Sequence, residues 1–336
     1  MHLPQTIGTV AFVLLAACRP EGEPDFGVSD VRTIPSHFPA YVEPEDNPLN
    51  EAKWELGRHL FFDPRFSQDG SISCASCHRP EFAFSDTAAT SQGSGGASGS
   101  RNAPALINLA WQPRFHREGG ISSLEAQVLA PVVEPHEFNR DPVQLVAELA
   151  ADAQYQMMAQ EGFGRPFDAY VMTRALAAFE RTLITGGSPW DRWLQGDDTA
   201  MSPSALRGMN LFDDLECSSC HDGIWTTDFH THNNGLYLIY EDPGAFRLTF
   251  DSADVGAFKT PSLRNLAFTA PYMFDGSLVS LDEVIQHYAS GGKGHPNQDP
   301  RIRPRILSMD EREDLKSFLL SMSDEGFTQW ASTLRP

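Results

Sequence analysis

Apolar residues recur along this chain at three- and four-residue intervals broken by Pro and Gly, and sustained two-residue alternation is scarce. Ala52, Leu56 and Leu60 follow the helical period behind Asn47-Pro48, a pair able to cap and start a helix. Asp141-Pro142 and Ser202-Pro203 repeat that start signal, the second opening SALRGMNLFDD (204–214). Ser308-x-x-Glu311 is a capping-box pattern ahead of Leu315, Phe318, Leu319 and Met322. A second capping box, Ser280-x-x-Glu283, precedes Leu281, Val284, Ile285 and Tyr288, which share one helical face, with His287 on its flank. Tyr288 thus points where the apolar residues point, and periodicity alone reads it as a core tyrosine. The whole pattern predicts a mainly α fold with long loops.

The run from Ile7 to Ala17 is too short to span a bilayer and suits the apolar part of an export signal. Leu15-Ala16-Ala17-Cys18 resembles a bacterial lipobox, which would make Cys18 a lipidated first residue and the only membrane attachment. No Lys or Arg precedes that run, so plain secretion or no cleavage stays open. The expected division is a signal over 1–18, a polar tether over 19–44 and a periplasmic or lipid-anchored body at a bacterial envelope. At 336 residues and 41 % hydrophobic content the body can bury a sizeable core, enough for two ordinary domains. A net charge of -20 argues against nucleic acid and against an anionic lipid surface, and would draw in a basic partner.

The chain has five cysteines. Apart from Cys18 they form Cys74-Ala-Ser-Cys77-His78 and Cys217-Ser-Ser-Cys220-His221, and C-x-x-C-H is the attachment signature of c-type haem. Two thiols bond the porphyrin and the adjoining histidine lies beneath the iron. A four-Cys zinc site or two redox disulfides are the alternatives, but neither needs a histidine after both pairs. Two covalent haem c groups are expected, one in a domain over 45–195 and one over 196–330, each cytochrome c-like. An iron closed by a second ligand transfers electrons, and an open one does chemistry. The loop TAATSQGSGGASGS (87–100) carries no His, Met, Tyr, Lys or Cys, which leaves the first iron open unless His116 or His136 closes it. Its glycines and serines predict a mobile segment.

LGRHLFFDPRFSQDGSISCASCH (56–78), SRNAPALINLAW (100–111), LEAQVLAPV (124–132), FERTLIT (179–185) and KTPSLRNLAFTAPYMFDGSL (259–278) resemble the bacterial dihaem cytochrome c peroxidase and MauG superfamily in order and spacing. The resemblance spans about residues 45–322 and implies a peroxide-reacting first haem on His78 and a second haem on His221. It implies a calcium ion held by the Asn102 side chain and the carbonyls of Thr269 and Pro271, oxygen ligands that suit a hard cation. It also places Gln127, Pro131 and Glu137 in a peroxide pocket, with Glu137 as the acid and base that moves a proton between peroxide oxygens. Spacing alone reads Glu137 as a solvated loop carboxylate.

Tyr288 falls where ordinary dihaem peroxidases carry methionine and MauG-like enzymes carry the tyrosine that ligates the second iron. HNNGLY (232–237), VIQHYASGG (284–292) and SMSDEGF (321–327) resemble the MauG-like branch that includes MbnH. Members of that branch form a high-valent dihaem state with hydrogen peroxide and oxidise residues of a partner protein, tryptophan included. The alternatives are a conventional peroxidase fed by a small cytochrome or cupredoxin, and a dihaem electron carrier. Two positions depart from the family pattern. Arg117 replaces the tryptophan expected between the haems, whose relay Trp111 could take over, and Phe274 replaces a histidine near the haem edge.

Overall fold

The computed structural model describes residues 33–336, so the expected export signal, Cys18 and most of the expected tether lie outside the described residues. Helices dominate. Among the described residues the one sheet is a pair of two-residue strands, Thr231–His232 and Phe258–Lys259, antiparallel with Thr231 opposite Lys259. None of the described helices is long and apolar enough to cross a membrane.

Four helices begin where local chemistry predicts. Asp141 accepts from the backbone N–H groups of Val143 and Gln144 at the head of Pro142–Ala150, and Ser202 caps Pro203–Asp214. Capping boxes of Ser280 with Glu283 and Ser308 with Glu311 open Leu281–Ser290 and Met309–Ser321. The helix Glu51–Phe61 starts later than Asn47-Pro48 indicates. Asn50 is its cap, accepting from the Lys53 N–H at 2.8 Å. Asn47 is buried and its side chain is already committed to the Glu125 carboxylate and the Arg174 carbonyl, each at 3.0 Å.

Among the described residues the two larger of three apolar cores each form around a helix pair that meets at a glycine. Glu51–Phe61 packs on Ala169–Glu180, and a Cβ on Gly57 would lie 2.0 Å from the Ala175 carbonyl oxygen. Pro203–Asp214 packs on Met309–Ser321, where a Cβ on Gly208 would lie 1.9 Å from the Asp314 carbonyl oxygen. Only a residue without a side chain lets backbones approach so closely. Leu56, Leu60, Phe61 and Phe179 are wholly buried in the first core, each worth roughly 1.5–3 kcal/mol of transfer from water. Leu281, Ile285, Phe212, Leu315 and Phe318 build the second.

The chain crosses the expected 195/196 division in both directions. Trp190 packs in the second core, whereas Phe327, Ala331 and Leu334, on and just after the helix Glu325–Ala331, return to the first. Buried polar contacts explain the crossing. Asp191 lies against Arg264 of the second half, and Asp324 accepts from the N–H groups of Gly186 and Gly187.

Candidate active site

The first motif forms the short helix Cys74–Cys77, capped by Ser73 and Ser76. Ala83 and Phe84 both adopt left-handed backbone angles, which turns the chain so that the Phe84 carbonyl comes back to His78. His78 Nδ1 lies 3.0 Å from that oxygen and 3.1 Å from the Pro104 carbonyl oxygen. Carbonyls only accept, so Nδ1 carries the hydrogen and Nε2 keeps its lone pair for a metal. Withdrawal from water lowers the His78 pKa, which keeps the ring neutral. Burial pushes the Cys74 thiol well up and the Cys77 thiol to about 11.

The second motif repeats this logic from different elements. The helix Pro203–Asp214 leads through a left-handed Glu216 into the turn Cys217–Ser219, and His221 Nδ1 meets the Thr226 carbonyl at 3.1 Å. Burial lowers the His221 pKa and raises the Cys217 thiol to about 11. All four cysteines are unpaired, so neither motif is a disulfide. Cys220 also lies within 4.8 Å of ligand atoms on Asp228 and His232, a set that loses its thiol if the porphyrin takes it.

The helix Leu281–Ser290 separates its two candidate ligands. Tyr288 lines the cavity beside the second motif together with Leu281, Val284 and Ile285. His287 turns the other way, buried, with Nε2 3.0 Å from the Asn234 carbonyl oxygen. Tyr288 is 37 % exposed, on the cavity, yet the protein packed around its phenol pushes the pKa up to about 12, so without a metal it stays protonated.

Gln127, Pro131 and Glu137 line the cavity on the side of the first motif. The Gln127 Oε1 is buried without a hydrogen-bond partner, a free acceptor for a polar guest. Glu137 opens on the cavity, yet the protein packed around its carboxyl raises its pKa and Glu134 raises it further. The Gly/Ser loop is not the free segment its composition predicts. Ser94 N–H donates to the Glu137 carbonyl at 2.7 Å, Gly95 N–H to Asp69 at 2.8 Å, and Ser91 Oγ to Asp86 at 2.6 Å. A Cβ on Gly93 would lie 2.1 Å from the His136 carbonyl oxygen, so this loop seats the 136–137 backbone. His116 and His136 also line the cavity, each with Nδ1 on a carboxylate, Glu118 at 2.6 Å and Glu134 at 3.0 Å. Glu180, unremarked in the sequence, lines the same space and burial pushes it up to about 8.

Between the motifs the expectations change. Among the described residues no tryptophan lines the cavity. Trp111 instead stacks on Trp225, with centroids 4.6 Å apart, away from it. Phe274 stacks on Phe258 at 4.1 Å and brings no hydrogen bonding in place of the expected histidine. Asn102, Thr269 and Pro271 all line the cavity, but a guanidinium is already there. Arg117 donates to the Asn102 carbonyl at 2.6 Å and lies 3.4 Å from the Asn102 Oδ1. Calcium bound to that oxygen at about 2.4 Å would stand within about 6 Å of the guanidinium. At an effective dielectric of about 20, a divalent ion there meets roughly 5 kcal/mol of repulsion. These residues do not fit calcium.

They do fit two haems. Both motifs wall one cavity of about 1040 Å³, above the roughly 300–1,000 Å³ of a single small-molecule site. Each motif supplies two unpaired thiols and a neutral imidazole with Nε2 free, the donor set that a covalent haem c needs.

The comparisons agree. The model of the family described as di-haem cytochrome c peroxidase matches residues 51–199. The methylamine utilization protein MauG of Methylorubrum extorquens is 40 % identical over 286 residues, covering 84 % of this chain and 81 % of that protein. The cytochrome c551 peroxidase of Nitrosomonas europaea is 35 % identical over 244 residues, covering 71 % and 73 %. A solved MauG-like protein associated with microbial copper homeostasis superposes with a TM-score of 0.83 at 33 % identity, covering 88 % of this chain and 96 % of that one. With its two haem attachment motifs walling one cavity, this chain belongs to the di-haem cytochrome c peroxidase and MauG family of haem-dependent oxidoreductases.

Proposed function

We propose that this chain is a hydrogen peroxide-dependent oxidase of the MauG-like kind, which draws electrons from side chains, tryptophan among them, of a docked partner protein. One observation carries the reading: Tyr288 lines the cavity beside the second motif, while His287 is turned away onto Asn234. A tyrosine ligand is an anionic oxygen and favours oxidised iron, which suits a site that stores oxidising equivalents. When bound, the two haems supply the redox chemistry, reducing peroxide by two electrons and recovering them from protein.

The chain's own residues do the rest. His78 and His221 each hold a fixed tautomer through Nδ1 and present Nε2. Gln127 Oε1 accepts a hydrogen bond from incoming peroxide. Glu137 takes the proton from one peroxide oxygen and delivers it to the other, so that water leaves, and its raised pKa brings it nearer to working pH. The Gly/Ser loop holds Glu137 in place and offers no ligand that would have to depart first. No calcium enters this reading. Residues 7–18 support export to the periplasm or lipid anchoring there.

A second reading, a conventional peroxidase fed by a small cytochrome or cupredoxin, is favoured by the absence of any tryptophan among the described lining residues. One experiment separates them. One equivalent of peroxide is added to the fully oxidised protein without prior reduction, and the visible and near-infrared spectrum is followed. A fast change at both haems supports the oxidase, and no reaction until one haem is reduced returns the chain to the conventional peroxidases.

A further inference from the structure

We propose that the guanidinium of Arg117 takes the place of the calcium ion at Asn102, so that this chain carries that cation as part of its own sequence and binds no calcium. The geometry leaves the ion little to bind. Arg117 donates to the Asn102 carbonyl at 2.6 Å and leans on its Oδ1 at 3.4 Å. The Asn102 amide nitrogen donates to the Ala88 carbonyl at 3.1 Å, which fixes Oδ1 on the side of the guanidinium.

The charge around the site is already positive. Lys259 follows the same path into the cavity, its N–H on the Arg117 carbonyl at 2.8 Å. Its ammonium meets only neutral acceptors, Gln112 Oε1 at 2.8 Å and the Arg114 carbonyl at 3.0 Å. Two neighbouring carboxylates are taken: Glu118 pairs with Arg101 and His116, and Asp242 pairs with Arg101 at 2.6 Å. Asp275, whose charge is felt at Arg117, accepts only from the Tyr237 hydroxyl at 2.6 Å and the Ser277 N–H at 3.1 Å. One carboxylate therefore faces Arg117 and Lys259, with none left to balance two further positive charges.

The guanidinium can do the ion's structural work. The Asn102 N–H donates to the Phe274 carbonyl at 2.9 Å, which joins this strand of chain to the 269–274 segment that was to supply the other carbonyls. Arg117 ties the Asn102 carbonyl to the Phe258–Lys259 strand through its own backbone. Arg117 stands where the family's tryptophan is expected, so the lost aromatic and the lost ion are one exchange. Arg117 still has a buried Nε without a partner, which leaves it a donor for an acceptor in the cavity.

The inference rests on family membership and not on the source of electrons, and its test needs neither peroxide nor partner. The full-length haem-loaded protein is purified without chelator and its calcium measured by elemental analysis, then its Tm and haem spectrum are recorded with and without EGTA. No calcium above buffer and no shift with EGTA are expected. Arg117→Gln, which removes the charge and keeps a donor, should acquire calcium and gain Tm when calcium is added. Stoichiometric calcium in the wild type, released by EGTA with a change in Tm or spectrum, would overturn the proposal. So would a folded, haem-loaded R117Q that ignores calcium. If R117Q does not fold, the wild-type calcium content decides alone.

Discussion

The guanidinium of Arg264 grips the carboxylate of Asp191 through two 2.9 Å contacts, with both side chains wholly withdrawn from solvent. Ser188 Oγ and His37 Nε2 complete the carboxylate's shell at 2.6 and 2.9 Å. Burial alone would raise the Asp191 pKa, but Arg264 together with Ser188 and His37 outweighs it and holds the carboxyl below its usual range. The pair links residues on either side of the expected 195/196 division, both beside the second core. Arg264→Met leaves the charge stranded and is expected to cost about 3–5 kcal/mol of stability. Denaturant unfolding of the haem-loaded protein measures it, and a loss under about 1 kcal/mol would show that water reaches Asp191.

Glu137→Gln keeps shape and removes the proton carrier. The rate of reaction with peroxide, followed by stopped flow at the first haem, should fall by about 10²–10⁴-fold with both haems still attached. An unchanged rate assigns the proton transfer to another group, Glu134 and Glu180 being carboxylates that line the same cavity.

Tyr288 and His287 are adjacent in sequence and opposite in role. Tyr288→Phe should change the visible spectrum of the second haem and leave the first as it was. His287→Ala removes the hydrogen bond to the Asn234 carbonyl and should lower Tm without altering either spectrum. Spectral loss in the histidine variant with none in the phenylalanine variant would reverse the assignment.

Glu180 gives stability a pH dependence. Burial raises its folded pKa to about 8 from an ordinary 4.5, so the folded chain binds the proton more tightly than the unfolded chain. Its contribution is complete below about 4.5 and is lost as pH rises toward 8, at up to about 1.4 kcal/mol per pH unit. Glu180→Gln should flatten that limb of a Tm-against-pH curve. A parallel curve would show that Glu180 stays ionised in the folded protein.

The sequence declares what local chemistry controls. Ser280, Ser308, Asp141 and Ser202 cap helices because each side chain needs only the next turn of its own backbone. The two C-x-x-C-H motifs are legible for the same reason. Helical period put Tyr288 on the inward face, but that this face borders a cavity depends on distant segments. Asn47 looked like a cap because its partner Glu125 is invisible from its neighbours. Glu180 stood inside the FERTLIT motif, yet its burial needs the packing of helices far apart in sequence. Arg117 could be read only as a missing aromatic, since its reach to Asn102 is a tertiary fact.

The return of Phe327, Ala331 and Leu334 to the first core ties segments far apart in the chain into one packing unit. They lie far downstream of Leu56, Leu60 and Phe61, and the packing around those three is incomplete without them. Arg58 reaches the same segment, its guanidinium donating to the Leu334 carbonyl at 3.0 Å. Both attachment motifs lie between these partners in sequence, so the contact closes a loop that carries both of them. Residues 327–334 thus act as a clasp that holds the first core shut at the base of that loop.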